Sequence, residues 1–333
     1  MDDLNQPQSR QEEAVKSTET NKGKRRKKVL VCLAVLLVVA VFSSGVLNFL
    51  LSQNHFNNRV AELNEFLYFA DDGTEIVFTF DLNRRDLYAD LIEEFGLDEI
   101  TAGLHDVDLM IALLYWVTDN FHHDGMSGMP ENRDAVSIIN FMREYHNGGG
   151  NCRLLAVLLA EVLRLYGIEA MHVTGRPLED DHPVHVFVHA FSRELQQWIF
   201  LDPTPGIYFQ DEHGNFMDIY NLRRAFAEGR PNELTHNDNA RFSLFGVWGY
   251  HVFMSDYLLR FTMATNFTFG SDEGAFHAMI ERQGLSGHDV SIHERENRET
   301  SVMLVPVGFV GGDADMVTTS ANAFFAIPRT PER

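Results

Sequence analysis

The sequence predicts an α+β fold in which one buried helix packs on an antiparallel sheet, preceded by a single N-terminal transmembrane helix. Three observations predict it. Val29 to Leu51 is a run of 23 residues without a charge, and about 20 apolar residues span a bilayer as a helix. Leu155, Leu158, Leu159, Val162, Leu163 and Tyr166 recur at helical spacing in a segment that opens at Cys152. The stretch PVHVFVHAFSRELQQWIFLDPTPG then places two alternating runs on either side of a polar turn, the pattern of a β-hairpin.

Residues 1–28 are polar and end in Lys22, Lys24, Arg25, Arg26, Lys27 and Lys28, a composition that cannot bury a core. This basic cluster precedes the apolar run, and Arg59 is the first basic residue after it. The positive-inside rule therefore puts the tail in the cytoplasm and the body outside. A cleaved signal peptide fits less well, because its apolar region spans only about 7–15 residues and ends at a small-residue site. The whole chain carries 27 basic and 48 acidic residues, a net charge of −21, and without the +3 tail the rest carries −24. A body this acidic repels phosphate backbones, so nucleic acid is excluded as a partner. The two cysteines, Cys32 in the apolar run and Cys152 in the body, cannot form a disulfide within one domain.

The expected order is a cytoplasmic tail (1–28), the transmembrane helix (29–51), the first part of the body (52–104), a core (105–228) and a β-rich extension (229–333). Within the body, EIVFTFDLN (Glu75 to Asn83) alternates with period two and reads as a strand. Asp86 to Phe95 reads as a helix stopped by Gly96. Val107 to Phe121 puts Leu109, Leu113, Trp116 and Val117 on one helical stripe. HHDGMSGMPENRD is a loop, and the short apolar runs Ser301 to Val310 and Ala321 to Ile327 read as strands.

The chemistry gathers around HNGGGNCR, His146 to Arg153. Gly148 to Gly150 allow a tight turn, Asn151 is a good N-cap, and Cys152 then falls in the first turn of a helix. A helix N-terminus favours the thiolate, which is the nucleophilic form of an otherwise protonated thiol. The Cys152 N–H, with donors near Asn151, could also hold an oxyanion. In the hairpin, His185, Phe187, His189 and Phe191 share one face, and the return strand places Trp198, Phe200 and Asp202 together. A histidine on one strand beside an aspartate closing the next is what a Cys–His–Asp triad needs.

The run NCRLLAVLLAEVLRLYGIEA, then HVFV, then WIFLDPTPG, resembles the transglutaminase-like superfamily, whose core is papain-like, in the manner of a membrane-anchored bacterial member. The likeness covers about Leu113 to Gly206. It implies that Cys152 is the nucleophile, His185 the general base and Asp202 its orienting partner. His185 rather than His189 matches the base, because the family's histidine opens a strand of about eight residues. His189 then falls where many members carry Glu, and is expected behind the triad or in the substrate cleft. Trp116 belongs either to the core or to the cleft near Cys152.

No metal or other cofactor is expected. His122, His123 and Asp124 lack further ligands, and positions four apart on a strand, such as His185 and His189 with His182 nearby, are separated by roughly 13 Å. The resemblance implies attack by Cys152 on an amide or acyl carbonyl of a protein or peptide of the cell envelope. The thioester that follows is resolved by water or by an amine. The rival reading is a non-catalytic binding or scaffold domain that keeps the fold.

Overall fold

The computed structural model describes residues 33, 37, 43, 45–177, 183–242, 246–267, 301–309, 314 and 316–328. Contacts divide the chain into two units, Met1–His55 and Phe56–Arg333. In the first, the described residues are helical and Leu33, Leu37, Val46, Leu47, Phe49, Leu50 and Leu51 are exposed. Most of the expected span Val29 to Leu51 lies outside the described residues. Among the described residues, no helix is long and apolar enough to cross a membrane.

The second unit is built on a six-stranded sheet. Its strands are β3 (Ala170–Arg176), β4 (His185–Ser192), β5 (Gln197–Leu201), β6 (Arg260–Ala264), β7 (Ser301–Leu304) and β8 (Met316–Thr318), in the spatial order β8-β7-β6-β3-β4-β5. Every pairing is antiparallel except β7 with β8. Two further short strands, β1 (His122–His123) and β2 (Gly149–Gly150), pair with each other in parallel, His123 opposite Gly150.

Among the described residues of this unit the longer helices are α1 (Ala89–Phe95), α2 (Asp106–Asn120), α3 (Ala135–Tyr145), α4 (Cys152–Leu165), α5 (Ile219–Ala227) and α6 (Gly246–Ser255). Helix α4 is central. Its amphipathic pattern suggests one buried face, yet all twelve residues from Leu154 to Leu165 are buried. One side meets Val186, Val188, Ala190, Ile199 and Leu201 of the sheet, and the other meets Leu109, Leu113, Leu114 and Ile138 of α2 and α3. The polar residues on α4 are neutralised locally. Glu161 accepts from Tyr88 Oη (3.0 Å) and from the Ala135 N–H (2.7 Å), while Arg164 donates to the Ala170 carbonyl (2.9 Å).

The opposite face of the sheet carries Phe187, Phe191, Trp198, Phe200, Phe261 and Val302, which join α5, α6 and Phe324 in a second, aromatic core. Both faces of β4 are therefore covered, and every one of its residues is buried. Asp106 fastens the hairpin turn by accepting from Ser192 Oγ and from the Arg193 N–H (3.0 Å).

Local expectations hold unevenly. Helix α1 stops at Gly96, which takes a left-handed φ of 60° as a C-cap. The expected strand Glu75 to Asn83 shrinks to Thr79–Phe80, although Ile76 and Phe78 are buried and Val77 is exposed as the alternation requires. Ser301–Leu304 is a strand, but Ala321–Phe324 is a helix rather than the expected strand. There Ser320 caps the Ala323 N–H, so local capping decides a short apolar run that has no period of its own.

Gly175 marks where the sheet meets the segment after α6. A Cβ there would lie 2.4 Å from the Tyr257 carbonyl oxygen and 3.0 Å from the Phe187 ring. Gly175→Ala is expected to destabilise the fold by about 1–3 kcal/mol through overpacking. Thermal unfolding monitored by circular dichroism checks this, and an unchanged midpoint would contradict the close approach.

Candidate active site

Cys152, His185 and Asp202 come together at one end of the sheet, each placed by a different element. Asn151 caps α4 with its side-chain oxygen on the Leu154 N–H (3.2 Å), which puts Cys152 at the first helical position. His185 is the first residue of β4. Asp202 follows β5 and closes a tight loop with Ile207, each N–H donating to the other's carbonyl at 2.9 Å.

Asp202 has no solvent exposure, and three donors satisfy its carboxylate. Oδ1 accepts from the Thr204 N–H at 2.9 Å, which holds the DPT turn. Oδ2 accepts from His185 Nε2 at 2.6 Å and from Tyr250 Oη at 2.6 Å. Burial alone would raise the Asp202 pKa, but His185, Tyr250 and the Thr204 N–H lower it below the ordinary carboxylate value.

His185 is likewise buried, and the Cys152 thiol acts on it as a second electrostatic partner after Asp202. Burial opposes its charging, but Asp202 and Cys152 outweigh burial and push its pKa up to about 10. The Cys152 thiol moves the other way. Burial would raise its pKa, yet His185, the Val186 N–H and Arg153 bring it below the ordinary value. Both shifts favour charge separation between thiol and imidazole, and Cys152 Sγ lies 4.0 Å from the Val184 carbonyl.

An aromatic wall covers the imidazole. The Phe253 ring meets His185 edge-on at 4.9 Å, and the Tyr257 ring lies at 5.8 Å. Tyr250, Phe253 and Tyr257 come from α6 and the turn after it, and no motif in the sequence marks them. Phe253 remains 38% exposed, so it reaches the rim.

The other expected residues take different places. Asn151 donates its own N–H to Ser127 Oγ (2.8 Å) and its amide to the Ser127 carbonyl (3.2 Å), so its donors anchor the 122–134 loop. Cys152 is the first residue of α4, so its N–H belongs to the helix-terminal donors beside the thiol.

His189 does not line the cleft. It has no solvent exposure, stacks on Trp198 at 6.0 Å and accepts the Ile219 N–H on Nε2 at 2.9 Å. Burial lowers its pKa to about 3, so it is a neutral core residue capping α5. The aromatic core covers its face of the sheet, and only the first residue of β4 reaches the end where the thiol stands. Trp116 is also core, edge-on to Phe95 (5.1 Å) and Phe121 (6.0 Å).

His122 and His123 are exposed on β1, and His146 Nδ1 lies 3.4 Å from Asp124 Oδ2. Among the described residues no group of three or more His, Cys, Asp or Glu is arranged to hold a metal, and His182 lies outside them.

Comparison with known proteins finds a likeness over part of the chain. Residues 97–203 match the model of the transglutaminase-like superfamily, a segment that contains α2, α4, the β4–β5 hairpin and all of Cys152, His185 and Asp202. It ends one residue after Asp202, so α6 lies beyond it. No curated protein matches the chain. Among solved structures, one similar chain is a Cytophaga hutchinsonii protein assigned as a cysteine protease. The two are 17% identical over 48% of this chain and 49% of that one, with a TM-score of 0.29. A second is a TGase, 16% identical over 36% of this chain and 31% of that one, with a TM-score of 0.25. This chain thus spans about half the length of the first and about a third of the second.

Alkylation reads the state of the thiol directly. Labelling of Cys152 near neutral pH is expected to fall by about tenfold or more in His185→Ala, which loses the imidazole that stabilises the thiolate. His189→Gln should label nearly as fast as the parent chain. Peptide mass spectrometry separates Cys152 from Cys32, and equal rates in all three proteins would contradict the assignment.

Proposed function

We propose that this chain is a thiol-dependent enzyme that cleaves or transfers acyl groups at amide bonds through a thioester on Cys152. The observation that carries this reading is the His185–Asp202 pair coupled electrostatically to the Cys152 thiol and ending in a buried carboxylate with every oxygen satisfied. A binding module has no need of a thiol kept below its ordinary pKa at a helix N-terminus.

The thiolate attacks the carbonyl carbon, and the Cys152 N–H stands where it can donate to the developing oxyanion. The imidazolium gives its proton to the leaving amine, and the C–N bond breaks to leave a thioester. Neutral His185 then takes a proton from water or from an acceptor amine, which attacks the thioester and regenerates the thiolate. Asp202 keeps a proton on Nε2, so that the nitrogen facing the thiol is the one that exchanges protons. Hydrolysis is the favoured outcome, since water is always present and an acceptor amine must be bound.

The substrate class is a protein or peptide of the cell envelope. The basic cluster ahead of the Val29 to Leu51 run supports an anchor with the body outside the cytoplasm. The exposed Leu47, Leu50 and Leu51 in the described part of that helix suit a lipid surface.

Asp202→Asn tests the chemistry. The Asn side-chain oxygen can still hold the Thr204 N–H, but an NH₂ group then faces both the His185 and Tyr250 donors. The imidazole is expected to turn over to the tautomer that cannot accept the thiol proton. Acylation of Cys152 by p-nitrophenyl acetate should slow by about three orders of magnitude with little change in melting. Unchanged acylation would mean that Asp202 serves only the turn.

Topology is tested separately. Protease added to intact cells should remove the body and leave a short protected stub that includes the N-terminal tail. A fully protected body would refute the orientation.

A further inference from the structure

The least expected feature of the site is that one carboxylate oxygen serves two masters. Asp202 Oδ2 accepts from His185 Nε2 and from Tyr250 Oη, each at 2.6 Å. Tyr250 lies on α6, 48 residues after Asp202 and outside the segment that matches the family. Its ring is buried among Phe209 (5.9 Å), Phe242 (6.2 Å) and Phe253 (6.2 Å), so packing fixes where the hydroxyl points. Burial first, and then the neighbouring Asp202, push its ionisation well above the ordinary phenol value, so it stays a donor.

We propose that Tyr250 is a positioning residue that moderates the basicity of His185 by sharing the Asp202 oxygen on which the imidazolium depends. This rests on the Cys152–His185–Asp202 reading given above and deepens it.

A carboxylate oxygen divides its charge between the donors that reach it. With Tyr250 present, less of that charge is available to the imidazolium, and the pair is balanced rather than locked. The balance matters because the imidazolium must surrender its proton to the leaving group in each cycle. A base that holds its proton too strongly is a poor acid. Tyr250 also fixes the carboxylate rotation, since Oδ1 is already bound to the Thr204 N–H. The titratable groups around His185 are Cys152 on α4, Asp202 after β5, His123 on β1, and Tyr250 and Tyr257 from α6 and the turn after it. Among the described residues, Tyr250 alone donates to the shared oxygen from outside the matched segment.

Tyr250→Phe removes the hydroxyl and keeps the ring. The rate of Cys152 alkylation, followed against pH in the full chain, rises as the thiolate forms and changes again as His185 loses its proton. The alkaline limb is expected to move upward by about one pH unit in Tyr250→Phe, because His185 gains the undivided charge of Asp202. Replacing Tyr250 by a ring-fluorinated tyrosine, a stronger donor, should move the same limb downward, and this probe retains the hydroxyl should the Phe variant fail to fold.

An alkaline limb that stays in place in the variant that folds, or that moves in the opposite direction, overturns the proposal and leaves Tyr250 as a buried phenol that merely needs an acceptor. The triad reading fails separately, if the parent chain shows no limb that His185→Ala abolishes.

Discussion

A carboxylate without solvent exposure is the constraint on which the rest of this molecule depends. Removing such a charge from water costs on the order of several kcal/mol, and only a full set of donors offsets it. Asp202 has that set: a turn amide, an imidazole and a phenol, each from a different part of the chain. Because the imidazole is one of the three, satisfying the carboxylate also fixes the ring, and the ring in turn lowers the pKa of the thiol. Structural need and chemical use are met by the same bonds.

The two-faced sheet delivers these groups. Val188 pairs with Leu201 and His189 with Phe200, a register that brings the start of β4 level with the end of β5, where His185 and Asp202 lie. Helix α4 rests on one face through its aliphatic residues, and the aromatic core seals the other. A one-residue slip would turn His185 towards the aliphatic face and away from Asp202. The hydrophobic pattern on both faces therefore specifies the site as firmly as the site residues do. The wall of Phe253 and Tyr257 then limits water around the imidazole, which strengthens every electrostatic interaction behind it.

Most of the core geometry was legible because it is local. Asn151 before Cys152, the helical stripe to Tyr166, the eight-residue strand that opens at His185 and the DPT turn all lie within about fifty residues, and each carries its own period or cap. What the sequence did not reveal is long-range. Tyr250 sits in GVWGYHVFMS, a helix with no distinctive pattern, and its contact with Asp202 exists only once the sheet has closed. His189 shares a face with His185, and no rule of alternation distinguishes a strand's open end from its covered middle. Trp116 was ambiguous for a simpler reason, since a core aromatic and a cleft aromatic leave the same mark on a helical stripe. The 321–324 run reads as a strand, yet the Ser320 cap outweighs a short apolar run without its own period.

The central claim is that imidazole, ordered by Asp202, keeps the Cys152 thiol ionised below its ordinary range. Ultraviolet titration of thiolate absorbance measures this most directly, in a Cys32→Ser chain that leaves Cys152 as the only thiol. The account predicts thiolate absorbance well below the ordinary thiol pKa of about 8.5, and its return towards or above that value in His185→Ala. Coincident titrations in the two proteins, at or above the ordinary value, would contradict it.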